Sequence, residues 1–261
     1  MLPNSLRTRG IVFAFLFGPP RVVGRDEASR LHNRVCDKLS VDDFIFRYST
    51  VEPGVKQSSR GFSIVIERPE GRGSFRIVVD HQGAGNPIPI RLLMEYQWPP
   101  SAIEVDERFD IASETVFDSL EGEWQRVMAE ARIRGQCGVQ EGSALKYLTR
   151  ELLNLSGARA EALGAPVTFA SVALHASPAA STADSLDHPA RELTVEVLRE
   201  DPSALYLEFM SRWTQVPVGA PAIQLDSIRT IDKKPSEYIE HARSSLNTWL
   251  STFGGSKGGT R

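Results

Sequence analysis

Gly61-Phe-Ser-Ile-Val-Ile-Glu-Arg68, Ser74-Phe-Arg-Ile-Val-Val-Asp80 and Ile88-Pro-Ile-Arg-Leu-Leu-Met-Glu-Tyr-Gln-Trp98 are three consecutive runs rich in β-branched and aromatic residues, bounded by Gly, Pro or Asn. Such side chains fit a pleated, half-buried surface, so the spacing predicts three strands. The link Pro69-Glu-Gly-Arg-Gly73 fixes one φ through proline and frees two through glycine, which suits a hairpin between the first two. A second set follows at 167–174, 192–198 and 205–209, the last running on to Trp213. The closing strands match best. Met94-Glu95-Tyr96 with Trp98 after it has the pattern of Leu207-Glu208-Phe209 with Trp213 after it: apolar, acid, aromatic, then Trp.

Outward from these meanders the correspondence continues. Helices are expected after them, over 110–124 and 232–249, both with a Ser-Glu pair in the first turn. Before them stand an apolar strand at 11–17 with a helix at 26–39, and a strand at 127–133 with a helix at 143–155 capped by Ser143. The run 124–134 fits a helical stripe or a strand by periodicity alone, and the repeat decides for a strand. The expectation is an α+β fold of tandem pseudo-duplicated strand, helix, three-strand, helix units, with mainly antiparallel sheets and helices on one face. Residues 1–9 read as a disordered lead, 10–122 as the first unit, 123–253 as the second and 254–261 as a flexible tail. If the two sheets join, they make one long surface with the helices behind it.

A chain of 261 residues buries a substantial core without staples, and a net charge of −3 supplies no broad positive field for phosphate binding. The two cysteines, Cys36 and Cys137, are too few and too differently placed for a disulfide framework, which fits a reduced, cytoplasmic protein. Arg7 and Arg9 before the apolar run 11–17 resemble a secretion signal, but the run is short and Gly18-Pro-Pro20 stands where a cleavage site is needed, so a buried strand is the better reading. No other stretch approaches the roughly 18 to 20 apolar residues of a membrane span.

Candidates for chemistry are weak. No His pair has zinc-ligand spacing and neither cysteine belongs to a CxxC, so no metal or cofactor is expected. The Gly-rich loop 81–87 lacks the Lys and Ser/Thr of a phosphate loop and reads as a turn. Asp80 and His81 close a strand, a place from which general acid–base residues are presented, though the sequence offers no orienting partner. Glu95 and Glu208 come side by side if the units pack with twofold symmetry, and paired carboxylates share protons or bind cations; alternation with apolar neighbours also makes each an ordinary solvent-facing residue. His241 stands one turn after Glu237 as a surface ion pair. Trp98 and Trp213 are either hot spots for a partner or plugs at the ends of the core. Arg76 and Arg91, with Arg60, Arg68 and Arg72, are the residues a nucleic-acid-binding sheet face requires.

The ending Tyr238-Ile-Glu-His-Ala-Arg-Ser-Ser-Leu-Asn-Thr-Trp249, with an opening strand followed by a helix, resembles a sporadically distributed, uncharacterised bacterial family of about this length, near 260 residues. That resemblance implies no activity. By elimination the chain reads as a non-enzymatic intracellular protein that binds a protein partner, of an accessory, defence-related or toxin-neutralising kind. The alternatives are nucleic-acid binding on the paired sheets and an enzyme with a cleft between the units.

Overall fold

The apolar run 11–17 lies in β1 (Arg7–Arg21), and its hydrophobicity on successive residues marks a strand covered on both faces. Ile11, Phe13, Phe15 and Phe17 turn to the helices, while Val12 and Ala14, on the other side, are buried too. The computed structural model describes residues 6–21, 27, 30, 31, 33, 34, 37, 38, 45–51, 60–67, 75–83, 88–97, 100–120, 122, 124–139, 143–153, 169–177, 189–214, 231 and 233–252, and over 19–21, 45–51, 60–67, 75–83, 88–90, 151–152 and 252 their backbone.

The remaining strands are β2 (Ile45–Val51), β3 (Arg60–Glu67), β4 (Phe75–Gly83), β5 (Ile88–Tyr96), β6 (Gln125–Gly138), β7 (Ser171–Ala176), β8 (Ala190–Val197) and β9 (Ala204–Thr214). They form one antiparallel sheet of nine strands in the order β2-β3-β4-β5-β1-β6-β9-β8-β7. The sheet runs through the middle of the chain without a break, because β1 pairs directly with β6. Register fixes a central row: Ile11 stands opposite Ile133, Tyr96 opposite Ile11, and Phe209 opposite Ile133.

Helices α1 (Ala102–Phe117) and α3 (Pro235–Thr252) lie on one face of this sheet, while α2 (Ala144–Tyr147) runs on into a π-helical turn, Leu148–Leu152. The core sits between α1, α3 and the central strands. Phe13, Phe15, Phe109 and Tyr238 meet there with ring centroids 4.6–6.2 Å apart, mostly edge to face, the arrangement the ring quadrupole favours. Helical residues between 27 and 38 add Leu31 to the core, and Arg34 Nη1 donates to the Asp118 carbonyl at the end of α1.

Several boundaries differ from expectation. The first helix after the meander begins at Ala102 and ends at Phe117, not over 110–124. Ser101 caps it, its Oγ accepting from Glu104 N at 3.1 Å, so Glu104 to Arg108 are helix and Ser113-Glu114 stands near the C-terminal end rather than in the first turn. Gly122, at φ 114°, turns the chain back toward β6, a conformation in which a Cβ is strained. The ambiguous run 124–134 is strand from Gln125 onward. Of the expected lead 1–9, Arg7 and Thr8 belong to β1 and pair with Gln136 and Gly135, while 1–5 lie outside the described residues. Ser143 does cap α2, accepting from Lys146 N at 3.2 Å, but the regular helix lasts one turn before the π-helical turn. The tail 254–261, Cys36 and Trp98 lie outside the described residues.

Candidate functional site: a carboxylate and guanidinium lattice on the open sheet face

Strand alternation that sends Ala129, Ala131 and Ile133 to the core sends Glu130, Arg132 and Arg134 to the opposite face, where no described helix lies. On β9 the same alternation presents Tyr206, Glu208, Met210 and Arg212, and on β5 Arg91 and Glu95. Register sets Glu130 beside Arg212 and Arg134 beside Glu208 as direct cross-strand pairs.

The contacts form one connected lattice. Glu130 Oε1 accepts from Arg132 Nη2 at 2.8 Å, its Oε2 from Arg212 Nη2 at 3.0 Å, and Arg91 Nη2 stands 3.9 Å from it. Glu208 accepts from Arg132 Nη1 at 2.8 Å, from Arg134 Nε at 3.0 Å and from the Tyr206 hydroxyl at 3.0 Å. Arg134 Nη1 then reaches over β1 to Glu95 Oε1 at 2.5 Å. That reach spans two strand spacings, roughly 10 Å, and is possible because β1 offers Gly10 opposite Arg134 and only Val12 and Ala14 beside it. Short side chains in the central strand leave room for the arginines to lie across it.

Burial sharpens the electrostatics. Glu130 is 4% exposed, and burial alone raises a carboxyl pKa, but the hydrogen bonds and charges of Arg132 and Arg212 outweigh it and hold Glu130 below its ordinary value. In Glu208 the same opposition between burial and Arg132, Arg134 and Tyr206 ends in the same direction. Arg132 and Arg134, which burial alone would shift down, are pushed up by Glu130, Glu208 and Glu95. Burial, then Glu208, pushes the Tyr206 phenol up to about 12. Four guanidiniums, of Arg91, Arg132, Arg134 and Arg212, face the carboxylates of Glu95, Glu130 and Glu208 in this lattice.

Of the residues singled out in the sequence, Glu95, Glu208 and Arg91 meet in this lattice. The two glutamates share Arg134 rather than a proton, so they do not form an acid and base pair. Register places Arg76 opposite Glu95 and Asp80 opposite Arg91 on the neighbouring strand, and His81 opposite Phe62. Trp213 is a core residue, 2% exposed, with its ring 4.7 Å from Tyr238 and 5.4 Å edge-on from His241. His241 does not pair with Glu237, whose Oε1 accepts instead from Lys234 N at 3.2 Å; burial, then Arg191 and Lys233, lower its pKa. Cys137 is buried and unbridged, and burial pushes its thiol up to about 11.

Sequence reasoning missed Glu130, Arg132, Arg134, Tyr206 and Arg212. The signal was present, since the positions between Val127, Ala129, Ala131 and Ile133 read Met, Glu, Arg, and Arg134 follows. Among the described residues no group of three or more His, Cys, Asp or Glu is placed to hold a metal ion, and no helix is long and apolar enough to cross a membrane. No family model matches the chain, and no curated protein is similar to it in sequence.

Proposed function

We propose that the chain is a non-enzymatic, cytoplasmic binding protein that receives a protein partner on the open face of its sheet, in an accessory, defence-related or toxin-neutralising role. The observation that carries this reading is the lattice itself: a broad face on which no described helix lies, whose charges are fixed in place and largely neutralised, four guanidiniums against three carboxylates. Preorganised alternating charge serves partner selection and register more than raw affinity. The same neutralisation argues against nucleic acid, because guanidiniums committed to carboxylates release few counterions on meeting phosphate.

The reading includes a tandem duplication. Outward from the centre both halves run first strand, last strand, then the preceding strands in reverse, β1-β5-β4-β3 and β6-β9-β8-β7. The aligned aromatics Tyr96 and Phe209 stand opposite Ile11 and Ile133, which stand opposite each other. The flanking pairs agree with a twofold axis through that central pair, since Val12 faces Arg132 as Gly10 faces Arg134, one residue to either side.

The test is affinity capture from the native host under nuclease and raised salt. Wild type is compared with a Glu192→Lys/Glu196→Lys variant on the open face and a Glu107→Lys/Glu114→Lys variant on the exposed side of α1. The expected result is one stoichiometric protein, lost with the first variant and kept with the second. Nucleic acid that leaves at high salt would overturn the reading in favour of the paired-sheet alternative.

A further inference from the structure

Helix α3 packs over β6, β9 and β1, and the π-helical turn Leu148–Leu152 meets β7, so that among the described residues a gap remains between α3 and the strand ends at Leu174–Ala176 and Arg191–Leu193. The result is a cleft of about 510 Å3, within the roughly 300–1,000 Å3 typical of small-molecule sites. Its floor is apolar, made by Leu193 and Phe209 with Leu174, which is 48% exposed, and Trp249 forms a wall. Ser245 and Thr248 of α3 bring hydroxyls to it.

Among the described residues of the lining, Arg191 alone carries a guanidinium. It is exposed and, in contrast to the arginines of the lattice, has no ion pair or hydrogen bond among the described residues. Glu192, its neighbour in sequence, belongs to the opposite face, where it stands 3.6 Å from His175. An apolar cleft with one unpaired cation at its margin and hydroxyls alongside is complementary to an anion carried on a hydrophobic body. A planar guanidinium matches a carboxylate in a two-bonded fork.

The geometry points to a binding site for a carboxylate on an apolar body in the cleft between α3 and β7–β9, with Arg191 as counter-ion and Leu193, Phe209 and Trp249 as the apolar contact. The site lies on the face opposite the lattice and does not depend on the partner reading. The carboxylate belongs either to a free organic acid or to the C-terminus of a peptide.

Titration calorimetry on the full chain separates these sources. The probes are decanoate against decanol, and acetyl-Gly-Gly-Phe-Leu with a free carboxylate against the same peptide amidated. One acid binds saturably at one per chain, at least about tenfold more tightly than its uncharged counterpart. Arg191→Met abolishes that preference, and Arg191→Lys keeps part of it. Because Arg191 is exposed, an unchanged thermal unfolding curve for both variants separates loss of the site from loss of the fold. A preference for decanoate alone assigns a free acid, and one for the peptide alone assigns a chain terminus. Equal binding of charged and uncharged probes, an undiminished preference in Arg191→Met, or no binding by wild type overturns the assignment.

Discussion

Gly10 shows how one side chain's absence shapes a surface. A Cβ built there falls 2.7 Å from the Tyr96 carbonyl oxygen, a backbone atom held in the β1–β5 ladder, so Gly10→Ala forces strands apart. The expected cost is about 1–3 kcal/mol, read by chemical denaturation. At Glu130 the effect is electrostatic. Glu130→Gln leaves Arg132 and Arg212 without their shared anion. The loss is about 2–4 kcal/mol, the upper part of that range being tempered because Arg212 is itself 38% exposed. Glu240→Gln removes an exposed pair with Arg243 and is expected to cost under about 1 kcal/mol in the same assay. Equal effects at Glu130 and Glu240 would show that the lattice is ordinary surface charge. The lattice was half legible in the sequence. Glu95, Glu208 and Arg91 stood out, but the charged side of β6 went unread because only its apolar alternation was used to choose strand over helix.

At the scale of elements, α1 and α3 are tied by a cap supplied from outside the helix. Pro235 opens α3, and Asp106 of α1 accepts from Ser236 N at 2.9 Å and from Ser236 Oγ at 2.6 Å, satisfying donors at the start of α3 that have no intrahelical acceptor. Asp106→Ala is expected to lower stability by about 0.5–2 kcal/mol and to speed hydrogen exchange in the first turn of α3. Exchange unchanged at residues 236–238 would contradict it. The sequence, with a helix expected over 232–249, located α3 to within three residues at each end, because its apolar spacing is regular. It placed α1 eight residues late. There Ser113-Glu114 imitated a first turn, while the true cap, Ser101-x-x-Glu104, followed two prolines that read as a loop. The Asp106 cap itself joins residues 130 apart in the chain, which no local pattern can announce.

For the whole molecule, the pKa shifts of Glu130, Glu208 and His241 bear on the acid side of its stability. Glu130 and Glu208 are lowered on folding, so their contribution is present above the ordinary carboxylate range and is lost as pH falls through their folded values. His241 is also lowered: the unfolded chain takes up a proton first, and stability declines as pH drops through the ordinary histidine value. The signs agree, and the unfolding free energy is expected to fall from pH 7 toward pH 4. On the alkaline side the raised Cys137 thiol opposes unfolding less as pH climbs from about 9 to about 11. In a Cys36→Ser background, Cys137 is expected to react with a thiol reagent at pH 8 only at the rate of unfolding; immediate labelling of the native protein would contradict its burial. That the sheets join was conditional in the sequence. The β1–β6 ladder that joins them is made by the two apolar strands opening each half, and their long pairing fixes the surface on which the proposed function rests.

The most direct test of that function places a photo-crosslinking residue, p-benzoylphenylalanine, at Thr194 on the open face and, in a second protein, at Ile103 on the exposed side of α1. Irradiation in the native host is expected to join one protein to the Thr194 position and none to Ile103. A crosslink from Ile103 alone, or the same protein from both positions, would contradict a partner seated on the open sheet.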